Sequence, residues 1–190
     1  MRQVSDKIGF YVAALICNVM VWGMFTALNV PRITVSAVPI VVEQPKPAFV
    51  PTVGQPVRVV VPDLSIDVSV EQGSFDPASQ EWSLSDQLAY HATASVPVND
   101  SNGATLIYGH AQAQMFEPLV HTSSGMRAEV YTDNSKIFVY EFAAMREVMP
   151  TDVSVFTDAG PPTLVMQTCS GPLDAYRALY SFSFVEVREV

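Results

Sequence analysis

The chain has 190 residues, room for one domain and an appendage, with 49% apolar residues, only 15% charged residues and a formal net charge of −9. The negative charge belongs to the second part, where Val57 to Val190 carries six cations against 17 acids, a balance of −11. No basic patch is present, which excludes nucleic acid as a partner and disfavours binding of this part to anionic lipid.

Residues 1–7 are short and polar, and Ile8 to Leu28 then runs 21 residues without a charge. A helix of that length spans roughly 30 Å, the hydrocarbon thickness of a bilayer. Arg2, Lys7 and the α-amino group precede the run with only Asp6 opposing them, and Arg32 alone follows it. That bias places residues 1–7 in the cytoplasm and the rest outside. The alternative is a cleaved signal peptide, because Val35-Ser36-Ala37 offers the small residues of a cleavage site. The apolar run is longer than a signal peptide needs and the site lies well past its end, which favours an uncleaved anchor. Residues 29–56 hold six prolines, at 31, 39, 45, 47, 51 and 56. Proline fixes φ and removes a donor, so this stretch reads as an extended stalk, with an added strand over Ile33 to Val42 as the alternative.

From Val57 to the end the pattern is that of strands. Val57–Val61 is β-branched and stops at Pro62, and Asp67–Glu71 alternates and ends at Gln72-Gly73. Trp82–Tyr90 is ambiguous, and Asn99–Gly103 is a turn cluster. Ala104–Tyr108 is a short apolar strand. Gln112–Val120 suits a short helix with Met115, Phe116 and Leu119 on one face. Ala128–Thr132 turns at Asp133-Asn134 into Ile137–Phe142. Ser154–Phe156 is a helical turn or loop, and Thr163–Thr168 and Ala178–Val187 close the chain. About eight short strands with little helix predict an all-β barrel or sandwich.

Chemistry gathers at the strand ends. Cys17 lies in the apolar run and Cys169 in the outer part, so the two cannot pair within one chain. Cys169 follows Thr168 at the end of an apolar strand, and Arg177 opens the next strand. If those strands are neighbours, the guanidinium approaches the sulfur and favours its anion. The competing reading is a buried structural cysteine. His110 follows Gly109 at the end of another strand, where glycine allows close backbone approach. A histidine in that place is also often structural, and His91 and His121 are its rivals; His91 sits among apolar residues and could pack near the site. The histidines have no zinc spacing. Glu71, Asp76 and Glu81 offer oxygens for calcium but show no EF-hand pattern and read as a solvated loop. No cofactor is expected.

These residues resemble those of a known family. Thr163-Leu-Val-Met-Gln-Thr-Cys169 with Arg177 downstream is similar to the Thr-Leu-x-Thr-Cys…Arg signature of sortases. Thr105-Leu-Ile-Tyr-Gly-His110 with Phe116-Glu-Pro-Leu119 resembles their Gly-His segment. The similarity covers residues 57–190, and a single N-terminal anchor is also typical of the family. The resemblance implies an eight-stranded closed β-barrel with one or two short helices. It implies Cys169 as nucleophile, His110 as general acid and base, and Arg177 as stabiliser of the oxyanion or substrate. Thr168, Gly109 and His91 are expected to support the site or touch substrate. The activity it implies is cleavage of a Leu-Pro-x-Thr-Gly-like sorting signal on a secreted protein, through a thioacyl intermediate, and transfer to an amine of peptidoglycan or another surface protein. Gln167 departs from the family pattern as a polar intrusion beside the nucleophile. The short interval from Cys169 to Arg177 resembles class D, E or F members. A cysteine enzyme like the L,D-transpeptidases would carry Ser-His-Gly-Cys, which is absent. An anchored barrel that only binds is the non-catalytic alternative.

Overall fold

The computed structural model describes residues 49–79 and 81–190. The apolar run 8–28 and residues 29–48 of the expected stalk lie outside these residues. Among the described residues no helix is long and apolar enough to cross a membrane.

Eight strands close into a barrel: β1 (Pro56–Val61), β2 (Ile66–Gly73), β3 (Ala89–Ala92), β4 (Ala104–Tyr108), β5 (Arg127–Thr132), β6 (Lys136–Val148), β7 (Thr163–Ser170) and β8 (Tyr176–Glu189). The order around the barrel is β6-β8-β7-β4-β3-β2-β1-β5, with β5 closing onto β6. The pairs β2–β3 and β4–β7 are parallel and the others antiparallel. Two small ribbons, Val53–Gly54 with Val98–Asn99 and Phe75–Asp76 with Glu81–Trp82, decorate it.

Side-chain alternation explains which strands line the barrel and which carry a second layer. On β2, Ile66, Val68 and Val70 point inward and the residues between them face solvent. β4 is buried along its whole length, because both of its faces are covered. Ile107 joins the barrel core with Leu164, Met166, Ala178, Tyr180 and Phe182. Ala104, Leu106 and Tyr108 face outward into a smaller cluster with Val155, Val165 and Leu179. That outer layer is roofed by the 3-10 turn Ser154–Thr157 and by Trp82, whose ring stacks on Phe156 at 6.1 Å and meets Tyr108 edge-on at 5.5 Å.

Several expectations change in detail. The segment expected as a short helix over Gln112–Val120 is a turn followed by a 3-10 helix, Glu117–His121, in which Pro118 supplies no donor. Met115, Phe116 and Leu119 are nonetheless buried. β6 runs six residues beyond the predicted Phe142, because β8 pairs with it all the way to Val148 opposite Arg177. The stretch Thr52–Gln55, expected in the stalk, is held by the barrel. Val53–Gly54 pairs with Val98–Asn99, the Thr52 amide donates to Asp100 Oδ1 at 2.9 Å, and Asn134 Nδ2 donates to the Val53 carbonyl at 2.8 Å.

Candidate active site

The site forms where three adjacent strands, β4, β7 and β8, end together. In the antiparallel β7–β8 pair Cys169 stands opposite Arg177, and Gln167 opposite Leu179. In the parallel β4–β7 pair Gln167 stands beside Tyr108. Beyond that pair the strands are stitched twice. The Gly109 amide donates to the Gln167 carbonyl at 3.1 Å, and the Thr168 hydroxyl donates to the Gly109 carbonyl at 2.9 Å. His110 follows Gly109, two residues beyond the end of β4, and Cys169 follows Thr168 within β7. Strand alternation then fixes the faces. Val165, Gln167 and Cys169 on β7 and Arg177 and Leu179 on β8 alternate in step with Leu106 and Tyr108 on β4, and the apolar members Leu106, Tyr108, Val165 and Leu179 belong to the outer cluster. Cys169 and Arg177 therefore face the same side of the sheet, while His110 lies just past the end of β4; all three are half-buried.

Gly109 is required by close approach. A Cβ there would lie 2.9 Å from Met115 Sδ and 3.3 Å from the Phe116 ring. The turn after β4 folds back over this glycine, and the Phe116 amide donates to the His110 carbonyl at 3.3 Å. The imidazole Nε2 of His110 lies 3.9 Å from Asp86 Oδ1, which also accepts from Gln112 Nε2 at 3.0 Å. Asp86 is largely exposed and the separation exceeds a hydrogen bond, so the pair adds little to stability.

Arg177 Nη1 donates to the carbonyls of Asp174 and Tyr176, both at 2.9 Å, which ties the guanidinium to the β7–β8 connection. That connection is tightly wound. Gly171, Leu173 and Asp174 all have positive φ, and a Cβ on Gly171 would lie 2.6 Å from the Tyr176 ring. Burial pushes the Cys169 thiol above its ordinary range, Arg177 pulls it down, and Asp174 pushes it up again. Of the charges beside the sulfur, Arg177 is the one that favours its anion.

A groove runs from the sulfur along β7 and β4. Gly109, Thr168, Cys169, Gln167, Arg177, Leu106 and Tyr108 form its floor and mouth. Trp82 and Leu84 from the β2–β3 connection and Pro150, Asp152, Val153 and Phe156 from the β6–β7 connection wall the rest of it, and His110 is not among the lining residues. These walls were not legible in the sequence, since they come from two loops without periodicity, and only the aromatic rings in polar connections hinted at them. His91 is not brought to this groove. On β3 it stands opposite Ile107, on the face away from Tyr90 and Tyr108. There it is 2% exposed, with Nδ1 3.0 Å from Gln72 Oε1 and Nε2 3.2 Å from the Val96 carbonyl. Burial holds its imidazole below the ordinary histidine range. His121 ends the 3-10 helix and is exposed. Among the described residues no cluster of three metal-ligating side chains forms.

An all-β barrel that sets a thiol opposite a guanidinium at a groove, with an imidazole just past the end of the neighbouring strand, defines a class of cysteine-bearing β-barrels. The sortase-domain family model matches residues 59–181, and the chain belongs to the sortase family. Solved structures agree in fold. Sortase A of Listeria monocytogenes superposes with a TM-score of 0.58 at 18% identity, covering 71% of this chain and 90% of that one. Sortase C-1 of Actinomyces oris gives 0.56 at 20% identity, covering 70% and 76%. Sortase A of Corynebacterium diphtheriae gives 0.58 at 18% identity, covering 71% and 62%. No curated protein sequence matches the chain. The family is one of transpeptidases, and the fold is that of a sortase-type transpeptidase.

Proposed function

We propose that the chain is a membrane-anchored cysteine transpeptidase that cleaves a C-terminal sorting signal of secreted proteins and transfers them to an amine of the cell wall or of another surface protein. The observation that carries this reading is the register of β7 against β8, which sets Cys169 opposite Arg177 while Thr168 clamps the end of β4 that bears His110.

The Cys169 thiolate attacks the scissile carbonyl carbon, and the carbonyl π electrons move to oxygen. Arg177 donates hydrogen bonds to that oxyanion or to the substrate backbone beside it. The charged imidazole of His110 gives its proton to the departing amine as the C–N bond breaks, leaving a thioester. The neutral ring then takes a proton from the incoming amine, which attacks the thioester and releases the thiolate. The short connection from Cys169 to Arg177 leaves the mouth of the groove open, in keeping with class D, E or F members. The apolar run 8–28 supplies the anchor, with residues 1–7 in the cytoplasm and the barrel outside, which concentrates the enzyme where secreted chains emerge.

The test is turnover of a sorting-signal peptide by the full-length chain and by its Cys169→Ala variant. Cleavage and amine coupling are expected to vanish in the variant while the circular dichroism of the barrel is retained. Turnover that persists without the sulfur ends this reading.

A further inference from the structure

Among the residues that line the groove ahead of Cys169, Gln167 is one that carries a polar side chain in a half-buried position. Gln167 lies on the same face of β7 as Cys169, two residues earlier, so their Cα atoms are roughly 6.6 Å apart. It is half-buried between Tyr108 on β4 and Leu179 on β8, and it lines the groove with Leu106, Trp82, Val153 and Phe156. Its backbone is used in the strand ladder, where its carbonyl accepts from Gly109. Its side-chain amide forms no hydrogen bond among the described residues.

An amide so placed is satisfied by water while the groove is empty. When a peptide covers the floor, that water leaves, and the peptide must replace its hydrogen bonds or bury the amide unpaired. A site that presents a polar group on an apolar floor discriminates strongly against ligands that leave the group unpaired. The part of the substrate that meets Gln167 follows from strand geometry. An extended peptide repeats its side-chain direction every two residues, with the same spacing as β7. The enclosed part of the groove lies on the Gln167 side of the sulfur, whereas the other side opens at the exposed residues 171–176. The acyl half of the substrate must stay bound through the thioester stage, so it occupies the enclosed part.

We propose that Gln167 is a specificity-determining residue that selects sorting signals with a hydrogen-bonding residue two positions before the scissile carbonyl. Serine, threonine, asparagine and glutamine meet the requirement by side chain. Proline fails it, having neither a polar side chain nor a backbone N–H, and leucine offers no side-chain partner. The preferred motif therefore departs from Leu-Pro-x-Thr-Gly at its second position. This inference rests on the transpeptidase reading and deepens it.

The experiment is a peptide library randomised at that position, offered with an amine acceptor to the full-length chain and to its Gln167→Met variant, with products read by mass spectrometry. Methionine conserves length and volume and removes both the carbonyl and the NH2 of the amide. The wild type is expected to favour threonine or asparagine over leucine and proline by about tenfold in kcat/KM. The variant is expected to lose or invert that order, through KM more than kcat, while it still cleaves its best peptide. The same order in both proteins, to within about twofold, overturns the inference and leaves the transpeptidase reading standing. Absence of cleavage of every peptide by the wild type overturns both. Thiol titration and circular dichroism of Gln167→Met establish that the barrel is intact.

Discussion

Cys169 is held between opposing influences, and the balance sets its pH dependence. Burial and the Asp174 carboxylate favour the thiol, and Arg177 favours the thiolate. Alkylation of Cys169 by a small neutral reagent is therefore expected to rise with pH along a curve centred above the ordinary thiol value of about 8.5. Arg177→Ala removes the one influence that lowers the pKa, so its curve moves to higher pH. Asp174→Asn removes an opposing charge, so its curve moves to lower pH. Rate-versus-pH profiles of the three proteins check the sign, and a profile unmoved by Arg177→Ala shows that the guanidinium does not act on the sulfur. Cys169 stood out in the sequence because it is an unpaired cysteine at a strand end, in a part of the chain expected outside the membrane, where such thiols are rare. The fate of His91 was not legible. Its apolar neighbours suited either face of β3, and only the pairing of Tyr90 with Tyr108 shows which side it takes.

At the scale of the element, the β4–β7 pair does the positioning. Its parallel register ends in the bond from the Thr168 hydroxyl to the Gly109 carbonyl, and both residues are buried. Thr168→Val keeps the shape and leaves that carbonyl unpaired, which costs about 1–3 kcal/mol of stability. It also frees the end of β4 that carries His110, so kcat is expected to fall by about tenfold to a hundredfold with little change in KM. Chemical denaturation and steady-state kinetics on the variant test both effects. A loss of stability with kcat unchanged would make the bond structural alone. Strands covered on both faces announced themselves as continuous apolar runs, which is why Ala104–Tyr108 was read with its observed bounds. The far half of β6 did not. Ala143 to Glu147 is exposed there and exists as a strand only because β8 pairs with it, so it carries no hydrophobic period to read. The segment Gln112–Val120 shows the converse. Its burial pattern is helical in spacing, but local hydrogen bonds and Pro118 settle it as a turn and a 3-10 helix.

At the scale of the whole molecule, closure of the barrel makes β4 a neighbour of β7, which lies far along the chain from it, while β8 follows β7 directly. Non-local pairing cannot be read from composition or period; it entered the sequence reading through resemblance to the family, and it appears in the structure as strand order. The same closure leaves the outer face of these strands as the floor of a groove, with walls contributed by the β2–β3 and β6–β7 connections. Transpeptidation through a thioester requires that the sulfur at this junction carry the acyl group during turnover. The most direct measurement is the intact mass of the full-length chain, quenched in acid during cleavage of a sorting-signal peptide and mapped by proteolysis. The predicted result is an added mass equal to the acyl half of the peptide, located at Cys169 and lost when an amine acceptor is supplied. An unmodified chain in a sample that is turning over, or an adduct at any other residue, contradicts the account.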